Sequence, residues 1–425
     1  MRNLHLDSKD LLEHQNKRLR AIVKNAYDSV PFYRKKFDAV GIKPGDVRSI
    51  RDLPKLPIIT KDEIKRNMYD MVSETFDQNS LRVLSTSGST GQPLRILISK
   101  EEDTFRKAKH LRANYSCGHR PFDRWATVTS PSHFSEVSGF QKLLGFYAPN
   151  FVSVFWDSDR QISSIKALKP SVLDGYSSSL SLLAREVKRR NIVEINPKMI
   201  FGGAELLDDA NRKNIEDIFD APLYDQYATI EFERMAWQCP EKSGYHMDAD
   251  SVVMEFLDED GAEVSPGESG EIVCTSLFNY AMPLIRYSVG DIGVPSDEEC
   301  ACGRRLPIMK KIEGRSDSVL LLPNDRRLSP RAITVAVGKF KYSKYIEQFH
   351  VTQKRIDLFE IQIRTDGSPE SEAVLLKELP WHFSQVLNLE PGEVNFEIRF
   401  VDEIKPDKTG KLTIISTELS DIREH

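Results

Sequence analysis

Residues 85–93 read Ser-Thr-Ser-Gly-Ser-Thr-Gly-Gln-Pro, five small hydroxylated residues and two glycines running into Gln92 and Pro93. Glycine lets backbone approach backbone, and a row of N–H and O–H donors suits the oxygens of a polyphosphate. The common ATP-binding loop has the pattern G-x-x-x-x-G-K-[ST]; here Gly88 and Gly91 stand too close together and no lysine follows. A flexible Ser/Gly linker is the plainer alternative. Strand-like residues on both sides oppose it, Leu81-Arg82-Val83-Leu84 before the loop and Leu94-Arg95-Ile96-Leu97-Ile98 after it. A second chemical set is Cys239, His246, Cys300 and Cys302. Three thiolates and one imidazole suit tetrahedral zinc, and four protein ligands leave no open position, so such an ion would be structural. The spacing is not that of a standard finger, and ordinary buried thiols are the alternative. Cys274, in the apolar Ile272-Val273 run, reads as core.

The elements that must hold these residues follow from periodicity. Leu11, Leu12, Leu19, Ile22, Val23 and Ala26 recur at helical spacing and stop before Pro31. From about residue 80 to 275 short strands alternate with helices: a strand at 171–175, a helix over 180–190, a strand at 198–201 and a helix over 208–219. That order favours a mostly parallel sheet with helices on both faces, where ligands sit at the carboxyl ends of the strands. Past Asp317 the character changes. Residues 359–364 and 394–400 alternate with period two around a helical stretch at 371–387 that Pro380 interrupts. The expectation is a large α/β domain over 1–316 and a small α+β domain over 317–425 with a half-exposed sheet.

Length and charge narrow the partners. At 425 residues the chain is long enough for two or three domains. Its 59 basic and 64 acidic residues give a formal net charge of −5, so no general field attracts nucleic acid, and a zinc-dependent nucleic-acid module is disfavoured. Residues 1–7 lack the apolar run of a signal peptide, and no stretch approaches the roughly 20 apolar residues a membrane helix needs. Five cysteines are too few and too unevenly placed for a secreted disulfide framework. A cytoplasmic protein with no membrane and no nucleic-acid partner is expected.

Further segments follow in a fixed order: Gly202-Gly203-Ala204-Glu205, Asp225-Gln226-Tyr227-Ala228-Thr229-Ile230-Glu231, Arg286-Tyr287-Ser288-Val289-Gly290-Asp291, Gly314-Arg315-Ser316-Asp317 and Thr409-Gly410-Lys411. With the Ser/Gly loop they resemble the motifs of the adenylate-forming superfamily, the acyl-CoA synthetases and their relatives. Val30-Pro31-Phe32-Tyr33 and Leu53-Pro54-Lys55-Leu56-Pro57 resemble specifically the phenylacetate-CoA ligase branch, including its capsule-biosynthesis relatives. The resemblance covers essentially the whole chain. It departs at Ala228, where the family has glycine, and at Ile230, where threonine or serine is usual; these bear on the fine placement of a nucleotide rather than on the fold.

The resemblance implies roles residue by residue. Ser85, Thr86, Ser87, Gly88, Ser89, Thr90 and Gly91 would cradle phosphates. Gly203, Ala204, Glu205, Asp225, Gln226, Tyr227 and Ala228 would line the adenine side, with the Tyr227 ring on the base. Asp291 would accept the ribose hydroxyls, and Arg315 would bond ribose or phosphate oxygens. Glu231 would be the magnesium-side carboxylate, a plain helical surface pair with Glu233 being the alternative. Asp317 would be the pivot between two half-reactions and Lys411 the mobile cation bridging substrate carboxylate and α-phosphate. His133, Phe134 and Gly202 fall where the family places the acid pocket. The cofactors implied are ATP, Mg2+ and coenzyme A as acceptor, beside the structural Zn2+.

The activity implied is ATP-dependent activation of a carboxylic acid, an aromatic one being favoured, to an acyl-adenylate, followed by transfer to coenzyme A. Transfer to an amine, a sugar or a carrier-protein thiol is the alternative within enzymes; a nucleotide-binding protein that has lost activity is the alternative outside them. The partners are the small acid, ATP and coenzyme A, and the chain leaves room for a homodimer.

Overall fold

A computed structural model describes residues 2–85, 93–134, 137–323 and 326–419. The chain gathers into two compact units, one formed by Met1–His119 with Gln226–Ile312, the other by Arg120–Asp225 with Glu313–His425.

The first unit begins with helix Ser8–Ser29, capped by the Asp7 side chain, which accepts the Asp10 N–H at 2.8 Å. A second helix, Pro31–Ala39, starts with proline at a position whose N–H would be orphaned anyway. Leu19, Ile22, Val23 and Ala26 make one fully buried stripe and pack with Tyr33, Phe37 and Leu53. Strands Arg82–Ser85 and Arg95–Ile98 pair antiparallel, Arg82 opposite Ile98 and Ser85 opposite Arg95. The flanking strands expected around the Ser/Gly loop are therefore present, while Thr86, Ser87, Gly88, Ser89, Thr90 and Gly91 lie outside the described residues. Helix Lys100–Ser116 follows. The rest of the unit is antiparallel sheet: strands Val252–Leu257, Gly270–Ser276, Tyr287–Ser296, Ile308–Arg315, Tyr245–Met247 and Glu233–Gln238 in that spatial order.

The second unit holds four parallel strands in the order Met199–Gly203, Val172–Tyr176, Trp125–Thr129, Pro149–Ser153. Helices Ser158–Leu168, Ser177–Arg189 and Asp209–Phe219 bury Ile162, Ile165, Leu180, Leu183, Ile215 and Phe219 against them. Its C-terminal part is a four-stranded sheet in the order Asn395–Phe400, Leu358–Arg364, Gln348–Arg355, Ile415–Thr417, covered by helices Pro330–Lys339 and Pro369–Val386.

Two expectations change. The strand–helix alternation read as far as residue 275 ends with the helix at Phe219; from Leu223 to Arg315 strands follow one another without helices. Connections such as 230–232 are too short for a parallel crossover, so the chain must turn back on itself. Pro380 does not interrupt the helix, which runs unbroken from Pro369 to Val386. Leu375, Leu379 and Phe383, at i, i+4 spacing, are fully buried, and that stripe holds the helix through the one hydrogen bond proline removes.

Candidate active site

In the first unit the candidate residues converge from two motifs distant in sequence. Strands Leu223–Thr229 and Glu233–Gln238 pair antiparallel with a bulge between Tyr227 and Ala228, so residues 230–232 form the turn that carries Glu231. Glu231 and Glu233 are thus not a helical pair; Glu233 begins the return strand in a left-handed conformation, φ 63°. Tyr227 is buried, and its Oη donates to Asp291 Oδ2 at 2.7 Å. Tyr287 is buried too, and its Oη donates to Glu231 Oε1 at 3.0 Å. Each motif therefore lends a tyrosine to fix the other's carboxylate. Ala228 is exposed and Gln226 Nε2 donates to Asn114 Oδ1 at 2.7 Å.

Arg286 opens the second motif but faces inward. It is buried at φ 49°, paired with Glu255 at 3.0 Å, and its Nη1 donates to the Leu56 carbonyl at 2.7 Å. The Ile59 N–H donates to the Arg286 carbonyl at 2.9 Å, and the Ile285 N–H donates to Tyr33 Oη at 2.9 Å. The two N-terminal segments that mark the branch are thus the backing of the segment that presents Asp291.

Sequence reasoning missed the support of the Glu231 turn. Helix Lys100–Ser116 sends Arg106 to the Ile230 and Glu231 carbonyls, the latter at 3.1 Å, and Lys109 to the Phe232 carbonyl at 3.0 Å. Both cations are buried. Burial pulls Lys109 down to about 8 and, against the pull of Arg106, pushes Glu102 up to about 7. Behind them Arg112 and Arg234 bind Asp248, each at 2.7 Å. A single sequence gives no signal for this set: cations spaced along a polar helix read as a solvated face.

In the second unit strand Met199–Gly203 ends in the Gly202–Glu205 turn, with Gly202 buried and Ala204 left-handed at φ 67°. Glu205 Oε2 accepts the Ser178 N–H at 2.8 Å, and Oε1 accepts the Leu412 N–H at 2.7 Å. Burial pushes its carboxyl up while those donors hold it down, and burial prevails. Lys411 Nζ lies 5.7 Å from the Tyr176 ring centroid, and Tyr176 Oη meets His133 Nδ1 at 2.6 Å. Phe134 stacks on Phe151, centroids 4.7 Å apart. The fold therefore brings Lys411, Glu205, Tyr176 and His133 into one neighbourhood. Asp225 is buried. Arg315 ends strand Ile308–Arg315, and its guanidinium reaches Asp317 at 3.5 Å, both side chains about half exposed.

Cys239, His246, Cys300 and Cys302 also converge, in the first unit, with donor atoms all within 4.8 Å of one another. Cys239 Sγ lies 3.5 Å from Cys300 Sγ, and Cys302 Sγ 3.3 Å from His246 Nε2. Those spacings match the edges of a tetrahedron drawn with zinc–ligand bonds of about 2.0–2.3 Å. Burial pushes Cys239 up to about 12 and His246 down to about 4. For Cys300 burial raises the thiol, but bonds from Ser243 and Cys302 outweigh it. Cys274 is buried in strand Gly270–Ser276, as its apolar neighbours required.

No family model matches the chain. It is, however, 30% identical over 321 residues to the phenylacetate-coenzyme A ligase of Aromatoleum evansii, spanning 72% of this chain and 71% of that one. The chain belongs to the phenylacetate-coenzyme A ligase family. It is also 24% identical to the protein CapK of Staphylococcus aureus over 95% of this chain and 88% of that one. Among solved structures, 2-hydroxyisobutyryl-CoA ligase in the postadenylation state, in complex with R3-HIB-AMP, superposes with a TM-score of 0.83 at 18% identity over 99% of this chain and 92% of that one. The ligase fold expected from the motifs is thereby established, and the phenylacetate-ligase signature at residues 30–33 and 53–57 is seen to pack behind Asp291.

Proposed function

We infer that this ligase activates a small carboxylic acid with ATP and passes the acyl group to coenzyme A. In the first step a carboxylate oxygen attacks the α-phosphate, the bond to the β-phosphate breaks, and pyrophosphate leaves. In the second the coenzyme A thiol attacks the acyl carbon, AMP leaves, and the thiol proton is released. The observation that carries this is the reciprocal pair Tyr227–Asp291 and Tyr287–Glu231, which fixes the two carboxylates such a nucleotide needs.

Asp291, its Oδ2 held by Tyr227, accepts the ribose hydroxyls, and the Tyr227 ring lies against the base. Glu231, its turn pinned by Arg106 and Lys109, serves a magnesium ion that neutralises phosphate charge. Gly203, Ala204, Asp225, Gln226 and Ala228 line the adenine side and Arg315 reaches ribose or phosphate oxygens. Lys411 offsets the negative charge that collects when carboxylate meets phosphate, a task for a preorganised cation. His133, Phe134 and Gly202 border the acid, and the ring pairs Phe134–Phe151 and His133–Tyr176 support an aromatic one. Residues 317–425 turn about Asp317 between the steps. The four-ligand set holds a structural zinc, whose donors fit it in type and spacing. None of the five cysteines is in a disulfide. Among the described residues no helix is long and apolar enough to cross a membrane.

A pyrophosphate-release screen over aromatic, aliphatic and amino acids, with and without coenzyme A, tests the assignment. The expected result is acid-dependent release with an aromatic carboxylate and a coenzyme A thioester of the corresponding mass. Release without thioester, and acyl transfer to an amine instead, would overturn the acceptor. No release with any acid would overturn the activity.

A further inference from the structure

The Gly202–Glu205 turn reads by resemblance as nucleotide-lining, yet the Glu205 carboxylate is occupied by protein donors. Oε2 accepts the N–H of Ser178, in the first turn of helix Ser177–Arg189, where the helix dipole favours a negative charge. Oε1 accepts the N–H of Leu412, the residue directly after Lys411. We propose that Glu205 is a positioning residue for Lys411: it holds the lysine loop by the Leu412 N–H in the pose used for adenylate formation. The proposal rests on the reading of Lys411 as the adenylation lysine.

The loop is braced from within. Asp407 Oδ1 accepts the Thr409 N–H at 2.8 Å, the Thr409 hydroxyl at 2.6 Å and the Lys411 N–H at 3.1 Å, and the Asp407 N–H donates back to the Lys411 carbonyl at 2.8 Å. Residues 407–411 therefore move as a unit, and a restraint at Leu412 is felt at Lys411. The far end of the restraint is equally fixed. Ser178 lies two residues after Tyr176, whose ring sits 5.7 Å from Lys411 Nζ and whose Oη meets His133. Glu205 thus ties the lysine loop to the same strand–helix junction that supplies the ring beneath the lysine. Two oxygens facing two N–H donors require a carboxylate; glutamine would turn an NH2 toward one of them.

The test separates the half-reactions on the full chain. Pyrophosphate release is measured with ATP and an acid found in the screen, and thioester formation with chemically prepared acyl-adenylate and coenzyme A. Glu205→Gln and Glu205→Ala are expected to lower the ratio of the first rate to the second by roughly tenfold to a hundredfold, the loss expected for one charge-assisted hydrogen bond. The fall should lie in kcat, with KM for ATP moving less than about twofold, since a positioning role leaves nucleotide affinity alone. A rise in KM for ATP with kcat kept would make Glu205 a nucleotide contact and overturn the proposal. So would an equal fall in both half-reactions, or no change in either. Glu205→Gln preserves side-chain volume and carries the test if the alanine variant does not fold. Lys411→Ala run alongside separates the two claims. If it releases pyrophosphate at the parent rate, the reading of Lys411 fails; if it does not but the Glu205 ratio is unmoved, the positioning proposal alone fails.

Discussion

Lys411 sits at the tip of a loop tied to itself by Asp407, and its charge is presented over the Tyr176 ring rather than buried in a salt bridge. Such a group can be removed without opening the core. Lys411→Ala is expected to reduce acid-dependent pyrophosphate release by on the order of 10²–10³-fold, the scale of losing one preorganised charge-stabilising group, while thioester formation from supplied acyl-adenylate survives. Separate assays of the two half-reactions check it. Glu102 makes a different residue-scale prediction. Burial holds its carboxyl up at about 7, against 4.5 in the open chain, despite Arg106 at 3.5 Å. Between those values the folded chain keeps a proton the unfolded chain has released, so stability must fall as pH rises from about 4.5 to about 7. Glu102→Gln, which cannot ionise, should flatten that part of the profile; denaturant unfolding at pH 5, 6 and 7 measures it.

At the scale of elements, function depends on turns that strands and helices hold at their ends. Gly410 has φ 82° and packs on Val154, with no room for a Cβ. Gly410→Ala adds left-handed strain of about 1–2 kcal/mol and a steric push on the loop that carries Lys411. The expected outcome is roughly a tenfold or greater loss of pyrophosphate release with the unfolding midpoint lowered by only about 2–8 °C, the strain alone. The four-ligand cluster joins the end of strand Glu233–Gln238, strand Tyr245–Met247 and the 300–302 turn, three segments separated along the chain. Elemental analysis of protein purified without added metal should find one zinc per chain. Cys300→Ser should lower the unfolding midpoint by roughly 5 °C or more and lower the intrinsic rate much less, because the ion has no open coordination position.

At the scale of the whole molecule the proposed cycle needs backbone rotation at one place. Asp317 follows the Gly314-Arg315-Ser316 end of strand Ile308–Arg315, is exposed, and lies in a single 3-10 turn, so a change of its φ and ψ disturbs no core. Asp317→Pro fixes φ near −65° and should spare one half-reaction while stalling the other. Pyrophosphate release and thioester formation measured on the same variant decide it; two unaffected rates would mean that residues 317–425 do not turn about Asp317.

The sequence by itself determined the family, the order of the motifs and the type of most elements. These are local properties: a Ser/Gly loop between strand-like runs, an apolar stripe at helical spacing from Leu11 to Ala26, a Cys-x-Cys pair. It also set Cys239, His246, Cys300 and Cys302 together as side chains of a type suited to zinc, and their donor atoms lie within 4.8 Å of one another. What only the tertiary structure decided are the pairings between distant segments. Tyr227 with Asp291, Tyr287 with Glu231, Arg286 with Leu56 and Glu205 with Leu412 each join residues far apart in the chain, and neither periodicity nor propensity encodes a partner. The antiparallel sheet of the first unit escaped for a related reason: short apolar runs look the same whether the next strand returns directly or crosses over, and the packing of the turns settles it. Arg106 and Lys109 were illegible because a cation on a helix becomes a clamp only when tertiary packing buries it beneath carbonyls it could not otherwise reach.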